Sequence, residues 1–135
     1  MTVRFHVPGL PQGKGRARMT TVNGRPRQYP DGKTVAYESL IGMAGNDAMA
    51  GRDLFDGPVY LTVTAVFPIP KSWPPKRKAA ARWHTGKPDA DNIAKAVGDG
   101  CNGIVWTDDS RVAFCKVVKT YGERPGLDIA VEALP

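Results

Sequence analysis

Acids that stand close together in a cationic chain are the first place to look for chemistry. Two such places occur here, Lys87-Pro88-Asp89-Ala90-Asp91-Asn92 and Trp106-Thr107-Asp108-Asp109-Ser110. Pro88 biases the residue before it towards extended geometry. If residues 89–91 are also extended, Asp89 and Asp91 lie on the same side of the chain. Two carboxylates on one face repel each other unless a cation sits between them. Magnesium is the expected cation, with Mn²⁺ as a substitute, because it takes hard oxygen ligands and keeps several waters. A third carboxylate from residues 108–109 completes such a site. Lys95 falls four residues after Asp91, so on a helix starting near Asp91 the two share a face. A lysine there can stabilise the charge that develops on a metal-bound phosphate or help position a water.

The same residues admit purely structural roles. Asp91 is a good helix N-cap, and Asp91/Lys95 is an ordinary i,i+4 pair worth roughly 0.3–0.5 kcal/mol. Asp108-Asp109 suits a turn. His84, near the acids in sequence, is an alternative general base.

The elements that must position these residues can be read from periodicity. Residues 1–7 read as a strand with Val3, Phe5 and Val7 on one face. Residues 34–50 read as a helix with Tyr37, Leu40, Ile41, Ala44 and Ala48 inward and Thr34 as N-cap, weakened by Gly42 and Gly45. Residues 58–67 alternate as a strand. Residues 92–102 form a second helix with Ile93, Ala96 and Val97 inward. Residues 111–120 and 127–133 are two more strands, and Gly122-Glu123-Arg124-Pro125-Gly126 between them suits a hairpin. The order β–α–β–α–β–β predicts an α+β fold, a mixed sheet of about four strands packed with two helices, in one domain over residues 1–135.

Charge narrows the partners. The chain has 135 residues, 19 Lys+Arg and 13 Asp+Glu, for a net charge of +6. That balance favours an acidic partner, nucleic acid or an anionic surface. No apolar run approaches the roughly 20 residues needed to span a bilayer, and the N-terminus lacks a signal peptide's apolar stretch. A cytoplasmic protein with no membrane partner is expected. Cys101 and Cys115 make no disulfide framework and read as buried or half-buried thiols. The basic charge is clustered. Lys14, Arg16, Arg18, Arg25, Arg27 and Lys33 lie in 14–33 with only Asp31 opposing them. Lys71, Lys76, Arg77, Lys78, Arg82 and Lys87 lie in 71–87 with no acid at all. Both segments are rich in Gly and Pro and read as loops. Trp73 and Trp83, in the second, either stack on exposed bases or anchor the loop to the sheet.

The series Asp89-Ala-Asp91-Asn92-Ile-Ala-Lys95-Ala, then Asp99, then Ile104-Val-Trp106-Thr-Asp108-Asp109-Ser-Arg-Val112, resembles the RusA family of Holliday junction resolvases. Pro8-Gly-Leu-Pro11, Gly13-Lys14-Gly15-Arg16-Ala-Arg18, Tyr29, Lys33-Thr34 and Tyr37-Glu38 resemble that family's basic loop and first helix. The resemblance implies a homodimeric, magnesium-dependent phosphodiesterase acting on four-way DNA junctions in recombination and repair, from a bacterial, phage or prophage source. By position it makes Asp89, Asp91 and Asp109 the metal-binding carboxylates and Lys95 the catalytic lysine. Asp108 is an additional acid beside them. Lys14, Arg16, Arg18, Arg25, Arg27, Lys76, Arg77, Lys78 and Lys87 would contact DNA. The long segment 68–88 matches no motif, and Gly98 and Gly100 depart from a typical active-site helix. Three rivals compete: a non-catalytic DNA-binding module, which leaves the acidic cluster unexplained; a nuclease for flaps or linear duplexes; and an RNA-binding protein, for which no module signature is present.

Overall fold

The computed structural model describes residues 1–15, 18–29 and 31–135. Along the chain run β1 (Thr2–Pro8), β2 (Arg18–Val22), β3 (Arg25–Tyr29), α1 (Gly32–Met49), β4 (Val59–Phe67), α2 (Pro75–Ala80), α3 (Ala90–Cys101), a 3₁₀ turn (Asp109–Arg111), β5 (Val112–Tyr121) and β6 (Gly126–Ala133). The fold is α+β, a four-stranded mixed sheet with a separate two-stranded one.

The main sheet has the order β1-β6-β4-β5. β6 is antiparallel to both β1 and β4, while β4 and β5 run parallel. The expected β5–β6 hairpin does not form, because β4 lies between the two strands. Residues 122–125 instead carry the chain across the end of β4. The alternation along β4 is real: Val59, Leu61, Val63, Ala65 and Phe67 are buried and the residues between them are half exposed. In β6, Leu127, Ile129 and Val131 are buried, and Ala133 at its end is exposed.

The region expected as a basic loop contains a hairpin. β2 and β3 pair in register from Arg18–Tyr29 to Val22–Arg25, leaving a two-residue turn at Asn23-Gly24. Both turn residues have positive φ, 52° and 75°. That is the backbone a two-residue hairpin needs, and Asn-Gly supplies it at least strain. The basic segment 71–87 likewise contains a short helix, α2, with Pro75 in its first turn.

α1 begins two residues before the expected cap. Asp31 occupies the N-cap position, and Thr34 is buried inside the helix, where its Oγ1 accepts a hydrogen bond from the Gly15 N–H at 2.8 Å. Leu40 is exposed rather than inward, and the buried face runs Tyr37, Ile41, Gly45 and Met49. The glycines that weaken this helix in isolation serve its packing. A Cβ on Gly42 would lie 2.9 Å from Ile104 Cδ1 and 3.0 Å from the Gly100 carbonyl. One on Gly100 would lie 2.8 Å from Ile41 Cβ and 3.0 Å from the Glu38 carbonyl. α1 and α3 therefore cross at backbone contact, and side-chain-free positions let them do so. Ile93, Ala96, Val97 and Cys101 of α3 complete one continuous core with the inner face of the sheet.

Candidate active site

α3 carries most of the candidate site. Its N-cap is Asp89, in extended geometry, and not Asp91, which lies in the first turn. The two acids therefore do not share one extended face. Asp89 lines a groove with Gly13, Lys14, Lys87 and Asn92. Asp91 turns the other way, its Oδ2 lying 4.0 Å from Lys95 Nζ. The pair is largely exposed, with side-chain exposures of 72% and 63%. One turn further along, Ala94, Lys95, Gly98 and Asp99 line a cavity of about 280 Å³ together with Asp109 and Cys115. Lys95, Asp99 and Asp109 thus meet across one small space.

Asp109 is held there by a residue whose role the sequence did not announce. Trp106 is fully buried, and its Nε1–H donates to Asp109 Oδ1 at 2.8 Å. A buried indole seeks an acceptor for its N–H, and here that acceptor fixes the carboxylate. The carboxylate lies over Gly98, where a Cβ would come 3.7 Å from Oδ2 and 3.8 Å from Oδ1. Gly98 leaves room over the carboxylate that any side chain would occupy. Behind it, burial first and the negative charge of Asp109 second push the Cys101 thiol up to about 12, so it stays neutral. The second cysteine, Cys115, is exposed rather than buried.

The turn bearing Asp109 is itself tied down. Phe55 N–H donates to the Val105 carbonyl and Thr107 N–H to the Phe55 carbonyl, at 2.9 and 3.0 Å. Thr107 Oγ1 donates to Asp56 Oδ1 at 2.8 Å, and Arg111 approaches the same oxygen at 3.4 Å. Asp108 does not line the cavity and takes a capping role. Its carboxylate accepts the Ser110 N–H at 2.9 Å, and hydrogen bonding to Ser110 holds it below the usual carboxylate range.

A second braced element is the Gly13–Gly15 strip. Lys14 N–H donates to the Asn92 carbonyl at 3.1 Å. A Cβ on Gly13 would lie 2.9 Å from both Asn92 Cβ and Pro88 Cβ. Lys14 Nζ donates to Glu38 Oε1 at 3.1 Å and to Asp99 Oδ2. Lys14, expected as a DNA contact, bridges α1 and α3 in this structure, and its pairing with Asp99 raises its pKa.

Among the described residues, no group of three or more His, Cys, Asp or Glu side chains stands close enough to hold a metal ion. The expected triad of Asp89, Asp91 and Asp109 is not gathered in this chain. Helix geometry gives the reason. Asp91 and Gly98, over which Asp109 sits, are seven residues apart, about 10 Å along the axis, and Asp89 opens onto the neighbouring groove. Asp91 and Asp109 bracket Lys95. In kind the donors fit magnesium, which binds through one or two carboxylates and draws its other oxygens from water and substrate phosphate.

Of the other basic residues, Arg25 and Arg27 are exposed on β3, and Lys76 and Lys87 are exposed. Arg77 lies over the Trp73 ring, 3.8 Å from its centroid, and Lys78 is half buried. Arg18 opens β2, and Arg16 lies outside the described residues. His84 is taken up in packing. Its ring stacks on Phe67 at 3.5 Å, and burial lowers its pKa, with Lys119 adding to the effect.

The site thus sets an acid held by a buried indole beside a helix-borne lysine. Residues 8–132 match the family described as Endodeoxyribonuclease RusA. The chain belongs to the RusA family. Its membership makes it an endodeoxyribonuclease, an enzyme that hydrolyses DNA. The chain is also similar to the uncharacterized protein YqaN of Bacillus subtilis (strain 168). The two are 29% identical over 135 residues, which covers 96% of this chain and 94% of that protein. In this RusA-family chain no described helix is long and apolar enough to cross a membrane.

Proposed function

We propose that this chain is a magnesium-dependent resolvase, which acts as a homodimer on four-way DNA junctions during recombination and repair in the bacterial or phage-infected cytoplasm. The observation that carries the reading is the cavity where Lys95, Asp99 and Asp109 converge, with Lys14 of the first basic segment paired to Asp99. Asp109 and Asp91, on either side of Lys95, and Asp89 from the adjoining groove would each offer a carboxylate oxygen to Mg²⁺ or Mn²⁺, with water and the substrate phosphate supplying the other ligands. Bound there, the ion supplies an acidified water and neutralises phosphate charge.

The chain's own residues do the rest. The Lys95 ammonium donates to a non-bridging phosphate oxygen, where negative charge grows as the water attacks. Trp106 keeps Asp109 in one orientation, so no reorganisation is needed at the moment of reaction. Lys14 neutralises Asp99, which would otherwise repel an approaching phosphate. Arg16, Arg18, Arg25, Arg27, Lys76, Arg77, Lys78 and Lys87 neutralise backbone phosphates without reading bases. A four-way junction has two-fold symmetry, so a two-fold dimer presents two equivalent sites for paired nicks.

The test is cleavage of a synthetic four-way junction against a linear duplex of the same sequence in Mg²⁺. Symmetry-related nicks in the junction and an intact duplex are expected. Asp89→Asn, Asp91→Asn and Asp109→Asn should each abolish nicking while junction binding survives or improves, since a negative charge near phosphate is gone. Equal cleavage of the duplex would favour a general nuclease using the same residues. A variant with near-normal turnover would remove that acid from the site.

A further inference from the structure

The segment between β4 and α3 carries two tryptophans that the proposed mechanism leaves idle, and the fold treats them differently. Trp73 is half buried. Its ring meets Tyr121 edge-on at 5.3 Å, and the Arg77 guanidinium covers it. It anchors α2 to the end of β5. Trp83 is 57% exposed.

The backbone under Trp83 is nonetheless fixed. Trp83 bridges Thr120 on the outer edge of β5 in antiparallel fashion. His84 N–H donates to the Lys119 carbonyl at 3.1 Å and Tyr121 N–H to the Arg82 carbonyl at 2.9 Å. Thr120 Oγ1 donates to that same Arg82 carbonyl at 2.7 Å, and Lys119 Nζ to the Gly86 carbonyl at 2.6 Å. The neighbouring His84 ring supplies the apolar anchor by stacking on Phe67. The main chain and His84 hold the segment, so the exposed indole is free for another task.

Its surroundings define that task. The Arg82 guanidinium lies 4.8 Å from the centroid of the Trp83 ring. The whole segment 71–87 is free of acids, and it leads directly into Asp89. A rigid exposed aromatic in a cationic strip is the arrangement that binds unpaired bases, by stacking on the ring and neutralising the adjoining phosphate. We propose that Trp83, with Arg82 beside it, is a stacking platform for an unpaired DNA base, set toward the opposite end of β5 from the cavity that holds Asp109. Within a duplex the base faces are covered by their neighbours. The platform therefore engages only where bases unstack, at a branch point or a single-stranded tail. Because the backbone is already fixed, little ordering is needed on binding. The inference rests on the reading that the chain cleaves DNA, and it adds a source of preference for branched over linear substrates.

The test is equilibrium binding by fluorescence anisotropy without divalent cation, so that no cleavage intervenes. The probes are a four-way junction, a duplex with an adenine tail and a blunt duplex. The proteins are wild type, Trp83→Phe and Trp83→Ala, with melting temperature and oligomeric state measured alongside. Trp83→Ala should weaken junction and tailed-duplex binding by about 5- to 150-fold. Blunt-duplex affinity and melting temperature should be unchanged, and Trp83→Phe should retain most of the binding. Unchanged affinity for both unpaired probes would overturn the proposal. So would an equal loss on all three, or a change in oligomeric state, which would place the ring at a protein interface. If wild type shows no preference for the junction yet Trp83→Ala loses the tailed duplex alone, the platform stands and the junction-resolving reading falls.

Discussion

The close crossing of α1 and α3 makes a two-way prediction about the glycines of the active-site helix. A methyl group at Gly100 would lie 2.8 Å from Ile41 Cβ and 3.0 Å from the Glu38 carbonyl. Neither atom is the end of a flexible chain, so the helices must part. Overpacking of this kind costs about 1–3 kcal/mol, and rigid neighbours put it in the upper half of that range. Alanine's better helix propensity returns about 1 kcal/mol. The net expectation for Gly100→Ala is a loss of about 1–2 kcal/mol, a drop of about 4–8 °C in Tm for a chain of this size. At Gly98 the nearest atom to a new Cβ is Asp109 Oδ2 at 3.7 Å, an ordinary van der Waals separation. Gly98→Ala should therefore gain up to about 1 kcal/mol, raising Tm by about 4 °C. It should also slow nicking, because the methyl crowds the free oxygen of Asp109. Thermal melts followed by circular dichroism, with junction nicking measured in parallel, read both effects. If Gly100→Ala melts like the wild type, or if the two variants shift Tm in the same direction, the close crossing is wrong.

The charges make three more effects measurable. Neutralising Lys76, Arg77 and Lys78 together should weaken DNA binding, and the slope of log K against log salt should fall by about 0.9 for each phosphate no longer neutralised. A salt titration that keeps its slope would turn α2 away from DNA. Lys14→Ala should leave stability nearly unchanged, as exposed ion pairs contribute less than about 1 kcal/mol, but weaken junction binding by uncovering Asp99. Adding Asp99→Asn should restore much of that affinity, and anisotropy measurements on the single and double variants decide it. His84 has a folded-state pKa below its ordinary 6.5, so the unfolded chain takes up a proton there that the folded chain does not. Stability should fall as pH drops through about 6.5. Denaturant melts of His84→Phe between pH 5 and 7 should show a weaker pH dependence than the wild type.

The strongest local patterns were legible in the sequence: the alternation of β4, the buried face of α3, and the run of residues from Asp89 to Val112. What was hidden depended on partners far along the chain. The turn after β5 looks like a hairpin turn, but pairing is decided by β4, which lies far earlier in the chain than β6 and takes the place between β5 and β6. Gly42, Gly98 and Gly100 read as helix weaknesses because propensity is a local quantity, whereas their use is a close crossing and a cleared space over Asp109. The partners of Lys14 are hidden in the sequence because Glu38 and Asp99 meet it only after α1 and α3 cross. Two local signals do stand in the sequence. Asn23-Gly24 between extended residues marks the β2–β3 turn. Trp106, three residues before Asp109, needed an acceptor as soon as it was recognised as buried.

The most direct test of the account is single-turnover cleavage of a pre-bound four-way junction by Lys95→Ala at saturating Mg²⁺, with Tm measured on the same sample. Lys95 is 63% exposed and stands 4.0 Å from Asp91, a surface pair worth no more than about 0.5 kcal/mol. Its loss should therefore move Tm by no more than about 2 °C. The rate should nevertheless fall by about 10²–10³-fold, as a preorganised donor to the developing phosphate charge is removed. Lys95→Arg should rescue only in part, because the guanidinium differs in shape and reach. A near-normal rate for Lys95→Ala, whatever its Tm, would contradict the account and leave Lys95 as a helix-surface partner of Asp91.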